Sequence, residues 1–151
     1  MHTKAFSHLF RYSRGQSLVE FSLVIVIIFV LLAGIIDVGE LIFQYTEMHD
    51  AAQEGAVYAA IFPQACSQIT QRVRSNLHPA SPSDIQVSVM VNGVDCSHAA
   101  ASDACFSKMI DVIVDQPNYD ITTPFVGTFL SRQTLHISAS ASGTILRPLC
   151  P

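Results

Sequence analysis

Residues 21–36 read FSLVIVIIFVLLAGII, sixteen positions without a charge. Leu18 and Val19 lie just before Glu20 and extend the apolar stretch to nineteen positions containing one acid. A bilayer core is crossed by about 20 apolar residues in a helix, so a transmembrane segment is expected over about 18–36. A buried core helix of this size would normally carry a polar face, and this one has none. The flanks give the orientation. Lys4, Arg11 and Arg14 precede the stretch, whereas Asp37, Glu40, Glu47, Asp50 and Glu54 follow it. Basic residues stay on the cytoplasmic side, which puts a C-terminal body outside the cytoplasm on a single-pass anchor. A cleaved secretory signal would have a shorter apolar core, of about 7–15 residues, and a small-residue cleavage site just past it. Here the run is longer and passes directly into an amphipathic helical pattern.

The rest of the composition agrees. A chain of 151 residues allows one compact domain. Eight basic and twelve acidic residues give a net charge of −4, and 13% charged residues is about half the usual share for a soluble domain. Residues 1–15 carry +3 and residues 16–151 carry −7, so a basic leader precedes an acidic body. Half of the chain is hydrophobic, too much for a disordered tail. The absence of a basic excess excludes a nucleic-acid partner. Nucleophilic, metallohydrolase and phosphate-binding signatures (GxSxG, HExxH, the P-loop) are missing. The expectation is therefore a protein that is not an enzyme, with no catalytic residues, no cofactor and no metal.

Glu20 is the residue that needs an explanation. A carboxylate at the centre of a bilayer costs about 2.5–3.5 kcal/mol, less near an interface. It sits in the sequence RGQSLVEF, residues 14–21, after the basic leader. Gly15 offers a small, flexible backbone site to a protease. Cleavage after Gly15 would make Gln16 the new N-terminus and Glu20 the fifth residue, suited to the positive end of the helix dipole. In two staggered helices, the amine of one chain would then pair with Glu20 of the other. This segment resembles the processing site of type IV prepilins and pseudopilins: Gly15 before the cut, Glu20 five residues after it, Phe21 beside it. The resemblance implies that a prepilin peptidase of the bacterial inner membrane removes the leader and commonly methylates the new N-terminus. It also implies an assembly role for Glu20 and Phe21 against neighbouring subunits.

A longer stretch, RGQSLVEFSLV followed by GIIDVGELIFQYTEMHDAAQEGAVYAA, is similar to the TadE-type pseudopilins of tight-adherence (Tad/Flp) pilus systems over about residues 14–60. Glu40 and Val57 depart from that family pattern, standing where its members often carry Arg. The resemblance implies a minor pilin or pseudopilin that assists assembly of a Tad-type pilus for adhesion or secretion. Its partners would be the membrane, the prepilin peptidase, other pilin subunits and the Tad assembly machinery. Whether such a subunit enters the filament or only primes it stays open. The alternative is an uncleaved, signal-anchored extracytoplasmic binding domain.

Beyond Ile36, Val38, Leu41, Tyr45, Met48, Ala52, Gly55, Ala59 and Phe62 recur at spacings of three and four, a heptad-like stripe with Asp37, Glu40, Gln44, Glu47 and Glu54 on an adjoining face. One helix is expected over 16–62, roughly 70 Å at ~1.5 Å per residue, ended by Pro63. Residues 63–151 then form a small α+β extracytoplasmic domain. A second helix is expected over 66–77, and a loop over 78–84. Strands are expected over 85–91, about 110–115 and 135–145, where apolar and polar residues alternate. Asn92-Gly93 supplies a turn, and Thr122-Thr123-Pro124 opens a short helix toward Leu130. His136, with Ser138, Ser140 and Ser142, is read as solvated. The fold class is thus α+β and pilin-like: a long N-terminal transmembrane and amphipathic helix packed on a small antiparallel sheet.

Cys66, Cys96, Cys105 and Cys150 all fall on the outer side, where an even count points to disulfides with three possible pairings. Cys96 and Cys105 enclose one short loop between two strands, so the pairs Cys96–Cys105 and Cys66–Cys150 are expected. A metal site built from Cys96, His98 and Cys105 is the alternative, without the paired CxxC spacing of a zinc site.

Overall fold

The computed structural model describes residues 13–77, 84–121 and 133–150. The short helix expected over 122–130 and most of the loop over 78–84 lie outside the described residues. The long helix α1 runs Ser13–Ile61, 49 residues, and α2 runs Cys66–Asn76. Strands β1 (Gln86–Val91), β2 (Val94–Asp95), β3 (Met109–Asp120) and β4 (Thr134–Thr144) form one antiparallel sheet in the order β2-β1-β3-β4. A long apolar helix thus packs on a four-stranded antiparallel sheet in an α+β, pilin-like arrangement.

Local chemistry sets the element ends. Pro63 follows the last turn of α1, whose Tyr58 carbonyl still accepts from the Phe62 amide at 3.0 Å. Asn92 and Gly93 both have positive φ, 52° and 80°, as a two-residue hairpin requires, and they join β1 to the two-residue strand β2. That fourth strand is an addition to the three expected. Strand β3 also runs five residues beyond Asp115, because a bulge between Gln116 and Tyr119 carries the pairing past Pro117.

The core is the meeting of α1 with the sheet and α2. Met48, Ala51, Ala52, Ala56 and Ala59 are buried against Ile69 and Val73 of α2 and against Val89, Val91, Ile110, Val112, Val114, Ala139 and Ala141 of the sheet. The buried side of α1 matches the expected stripe at Leu41, Met48, Ala52, Gly55 and Ala59 and departs from it at three positions. Val38, Tyr45 and Phe62 are exposed, whereas Asp37 and Gln44 turn toward the body. For Gln44 the sheet offers a polar partner: its Nε2 donates to Gln116 Oε1 at 3.3 Å.

Strand β3 runs antiparallel to α1. A side chain on Gly55 would meet Val112 near the far end of the body, Gln116 bonds Gln44 halfway down, and Tyr119 feels the charges of Glu40 and Asp37. Rise per residue makes the two elements commensurate. Nineteen helical steps from Asp37 to Ala56 cover about 28 Å, and nine strand steps from Ile110 to Tyr119 cover about 30 Å. The body therefore flanks α1 from Asp37 upward, and nothing described packs on the helix below it.

At Gly55 the approach is tight: an added Cβ would lie 2.4 Å from Val73 Cγ2 and 3.3 Å from Val112 Cγ1. Val73 is β-branched on a helix and has essentially one rotamer to offer. Gly55→Ala is expected to destabilise the body by about 1–3 kcal/mol of overpacking, partly offset by about 1 kcal/mol of helix propensity. Gly15→Ala, with nothing within 4 Å, should not lower stability. Thermal unfolding of the detergent-solubilised chain, followed by near-ultraviolet circular dichroism, separates the two.

Candidate functional site

Gly15, Gln16, Glu20 and Phe21 lie near the N-terminal end of α1, all exposed. Glycine inside a helix costs about 1 kcal/mol relative to alanine. Neither packing nor a left-handed backbone asks for it at position 15, where a Cβ would meet open space. Its local effect is to weaken the helix at the bond to Gln16. Because α1 begins at Ser13, Glu20 stands well inside the helix, and a dipole benefit fades beyond the first turn. The favourable placement expected for its carboxylate therefore belongs to a chain that starts at Gln16.

Past Glu20 the helix is apolar all round. Leu18, Phe21, Phe29 and Ile35 are each about two-thirds exposed, and none of the most apolar window of α1 is buried. This is one helix long and apolar enough to cross a membrane. Its backbone is bonded internally, and the Ser22 hydroxyl donates to the Val19 carbonyl at 2.8 Å, so that hydroxyl brings no unsatisfied group into lipid.

Four cysteines form two disulfides, but not in the expected pairs. Cys66 is bonded to Cys96 and Cys105 to Cys150, with Cα–Cα distances of 5.8 and 4.9 Å. Proximity in sequence misleads here. Residues 96–98 form a 3-10 turn capped by Asp95, which turns Cys96 toward the start of α2, and its half-cystine is buried. Two hydrogen bonds from Ser97, to which His98 adds a weaker attraction, hold the Asp95 carboxyl below its ordinary value. Cys105 instead faces the C-terminal tail. Phe106 and Ser107 amides donate to the Pro148 and Ile145 carbonyls at 2.7 and 3.0 Å, and the Leu146 amide donates to Ala60 at the end of α1 at 2.8 Å. The metal set considered above is overturned by the same bonds, since the sulfurs of Cys96 and Cys105 are in different disulfides.

The body also contains polar contacts that sequence spacing did not reveal. His136 is exposed, as expected, and its Nε2 also lies 2.8 Å from Asp115 Oδ1 across β3 and β4. Asp111 accepts from Ser142 on the same outer face. Near the base of the body, the bulge turns Tyr119 toward α1. Burial first, then the charges of Glu40 and Asp37, push the Tyr119 hydroxyl pKa up. The signal for this cluster was Pro117 inside an otherwise alternating strand, which marks a bulge and a change of face.

A helix whose first half is exposed and apolar and whose second half is the spine of a disulfide-bonded α+β body defines a pilin-like chain. One apolar N-terminal helix and a disulfide-bonded C-terminal body are consistent with a membrane-anchored extracytoplasmic domain. Residues 15–57 match the family model described as TadE-like protein, so the N-terminal region of this chain is similar to that family. No curated protein and no solved structure matches the chain. The matched segment begins at Gly15 and ends inside α1, before the body's sheet.

Both disulfides close long loops, with separations of 30 and 45 residues. On the chain-entropy model each stabilises the body by roughly 3.5–4 kcal/mol. Peptide mapping without reduction should return the Cys66–Cys96 and Cys105–Cys150 peptides and no Cys96–Cys105 peptide. Replacing Cys66 and Cys96 together by Ser should lower the unfolding free energy by an amount of that order.

Proposed function

We propose that this chain is a minor pilin or pseudopilin that assists assembly of a Tad-type pilus serving adhesion or secretion. In this reading residues 1–15 are a leader, removed after Gly15 by a prepilin peptidase. Residues 16–62 anchor the subunit in the bacterial inner membrane, and residues 63–151 form its extracytoplasmic body. The observation that carries the reading is the coincidence of the TadE-like match over 15–57 with a helix that is exposed and apolar below Asp37 and buried above it.

Each part has a physical role. The leader's charges hold the N-terminus on the cytoplasmic side. Gly15 supplies a bond to a protease at a position where an added side chain would meet nothing within 4 Å. Removal of the leader leaves a new ammonium group at Gln16 and brings Glu20 near the helix N-terminus. One chain's amine and a neighbour's Glu20 then compensate each other in lipid, where each alone would be costly. Phe21 and the apolar residues after it keep the subunit in the membrane until it is recruited. The body needs no reactive group for this work: it presents a covalently tied surface to other subunits and to the assembly machinery.

Intact mass and N-terminal sequencing of the chain recovered from membranes of cells with an active prepilin peptidase test the reading. A chain that starts at Gln16, with or without an added methyl group, is expected. Gly15→Leu should leave the leader attached, whereas Glu20→Ala should be processed and inserted but fail in assembly. A wild-type chain still carrying Lys4, Arg11 and Arg14 would leave only a signal-anchored extracytoplasmic domain.

A further inference from the structure

The base of the body lies at the level where the apolar exposure of α1 closes on one side. Asp37, one residue past the uncharged run, is already buried, Leu41 packs against the core, and Gln44 bonds Gln116. The helix therefore passes from bare apolar surface to the body with no linker between them. Because β3 descends antiparallel to α1, the lowest described part of the body is the end of β3 and the start of β4, where the Ile121 amide donates to the Gln133 carbonyl at 2.9 Å. Tyr119 stands in this rim, beside Asp37 and Glu40.

We infer that this rim, Tyr119, Asp120, Ile121 and Thr134 at the joined ends of β3 and β4, rests on the phospholipid headgroups of the bilayer that α1 spans. The inference builds on the membrane-anchored reading above and adds a second contact with the membrane. Three observations carry it. First, continuity: the exposed apolar surface of α1 runs unbroken to Ile36, and the body begins at the next residue. With no spacer, a bilayer that covers the helix to that point meets the base of the body. Second, the rim contains a half-buried tyrosine, the side chain whose apolar ring and polar tip suit the membrane–water boundary. Third, its exposed acid chooses the headgroup. Asp120 is an exposed carboxylate, complementary to the ammonium groups of zwitterionic lipids and repelled by anionic ones. The same contact would keep the body from swinging about the end of the span, fixing which face is offered to an incoming subunit.

The chain has no tryptophan, so single-Trp variants of the full-length protein report position directly. Tyr119→Trp, Thr134→Trp, Met109→Trp and Ile28→Trp would be placed in bilayers of phosphatidylethanolamine and phosphatidylcholine, part of the latter brominated high on its acyl chains. Ile28→Trp marks the span and Met109→Trp the far end of the body. Expected are blue-shifted emission and several-fold stronger quenching for Tyr119→Trp and Thr134→Trp than for Met109→Trp, weakening when anionic lipid replaces the zwitterionic ones. Strong quenching of Ile28→Trp with both rim variants no more quenched than Met109→Trp would overturn the headgroup contact while leaving the anchor intact. Absence of quenching at Ile28→Trp would overturn the membrane-anchored reading and the contact together. Thr134→Trp keeps the test decisive if Tyr119→Trp disturbs the packing against α1.

Discussion

The contact on which everything else depends is the close approach of α1 to α2 and β3 at Gly55. All other parts of the body's core touch one of these three elements, and the separation between them is set by residues with almost no side chain: Ala51, Ala52, Gly55, Ala56 and Ala59. Interiors are packed as tightly as organic crystals, so one methyl group in the wrong place must be met by movement elsewhere. The branched side chains that fill this contact come from the other side, from Val73, Val112 and Ile110. The helix acts as a smooth rod, and the sheet and α2 supply the shape.

The lower half of the same helix follows the opposite rule. Below Asp37 it carries Leu, Ile, Val and Phe around its whole circumference; above Met48 its inward face is mostly Ala and Gly. Lipid has no fixed shape, so bulky side chains gain area there without needing complementary partners. A folded body has a fixed shape, and backbones can approach only where side chains are small. The change in residue size along one uninterrupted helix is therefore a record of two different surroundings. Asp37 and Gln44 lie between them, polar side chains turned toward the polar base of the sheet.

How much of this the residues disclosed depends on whether a feature is local. Strand periods in 85–91 and 135–145, the Asn92-Gly93 turn and the stop at Pro63 are decided by neighbouring residues, and those elements formed within one or two positions of expectation. The inward side of α1 was legible at Leu41, Met48, Ala52, Gly55 and Ala59 but not at Asp37 and Gln44, because hydrophobicity alone assigns those two to water and the partner of Gln44, Gln116, lies on another element. Glu20 and Gly15 stand out in the sequence because each breaks a local rule, a charge in an apolar run and a glycine that the helix does not need. His136 broke none, and its partner Asp115 lies on another strand. The disulfide pairing was illegible for a geometric reason. All four cysteines gather at the end of the body away from Asp37: Cys66 beside the end of α1, Cys96 after β2, Cys105 before β3 and Cys150 after β4. With every cysteine in one neighbourhood, spacing along the chain does not discriminate among pairings; the direction set by the Asp95-capped turn does.

This gathering makes the body mechanically uneven. At the far end two covalent ties hold the start of α2, the turn after β2, the approach to β3 and the C-terminal tail, and the tail's Leu146 amide caps a carbonyl at the end of α1. At the base, α1 and the sheet are linked by a hydrogen bond between two glutamines and by the packing of Leu41 and Tyr119, with Asp37 and Glu40 also engaged and no disulfide among the described residues there. A neutral hydrogen bond contributes about 1 kcal/mol, several times less than a disulfide closing a long loop. A small domain has little core with which to even out such a difference. The end of the body away from Asp37 is thus the covalently fixed one. On the function proposed above, a subunit that works by contact would present this covalently fixed end to its partners.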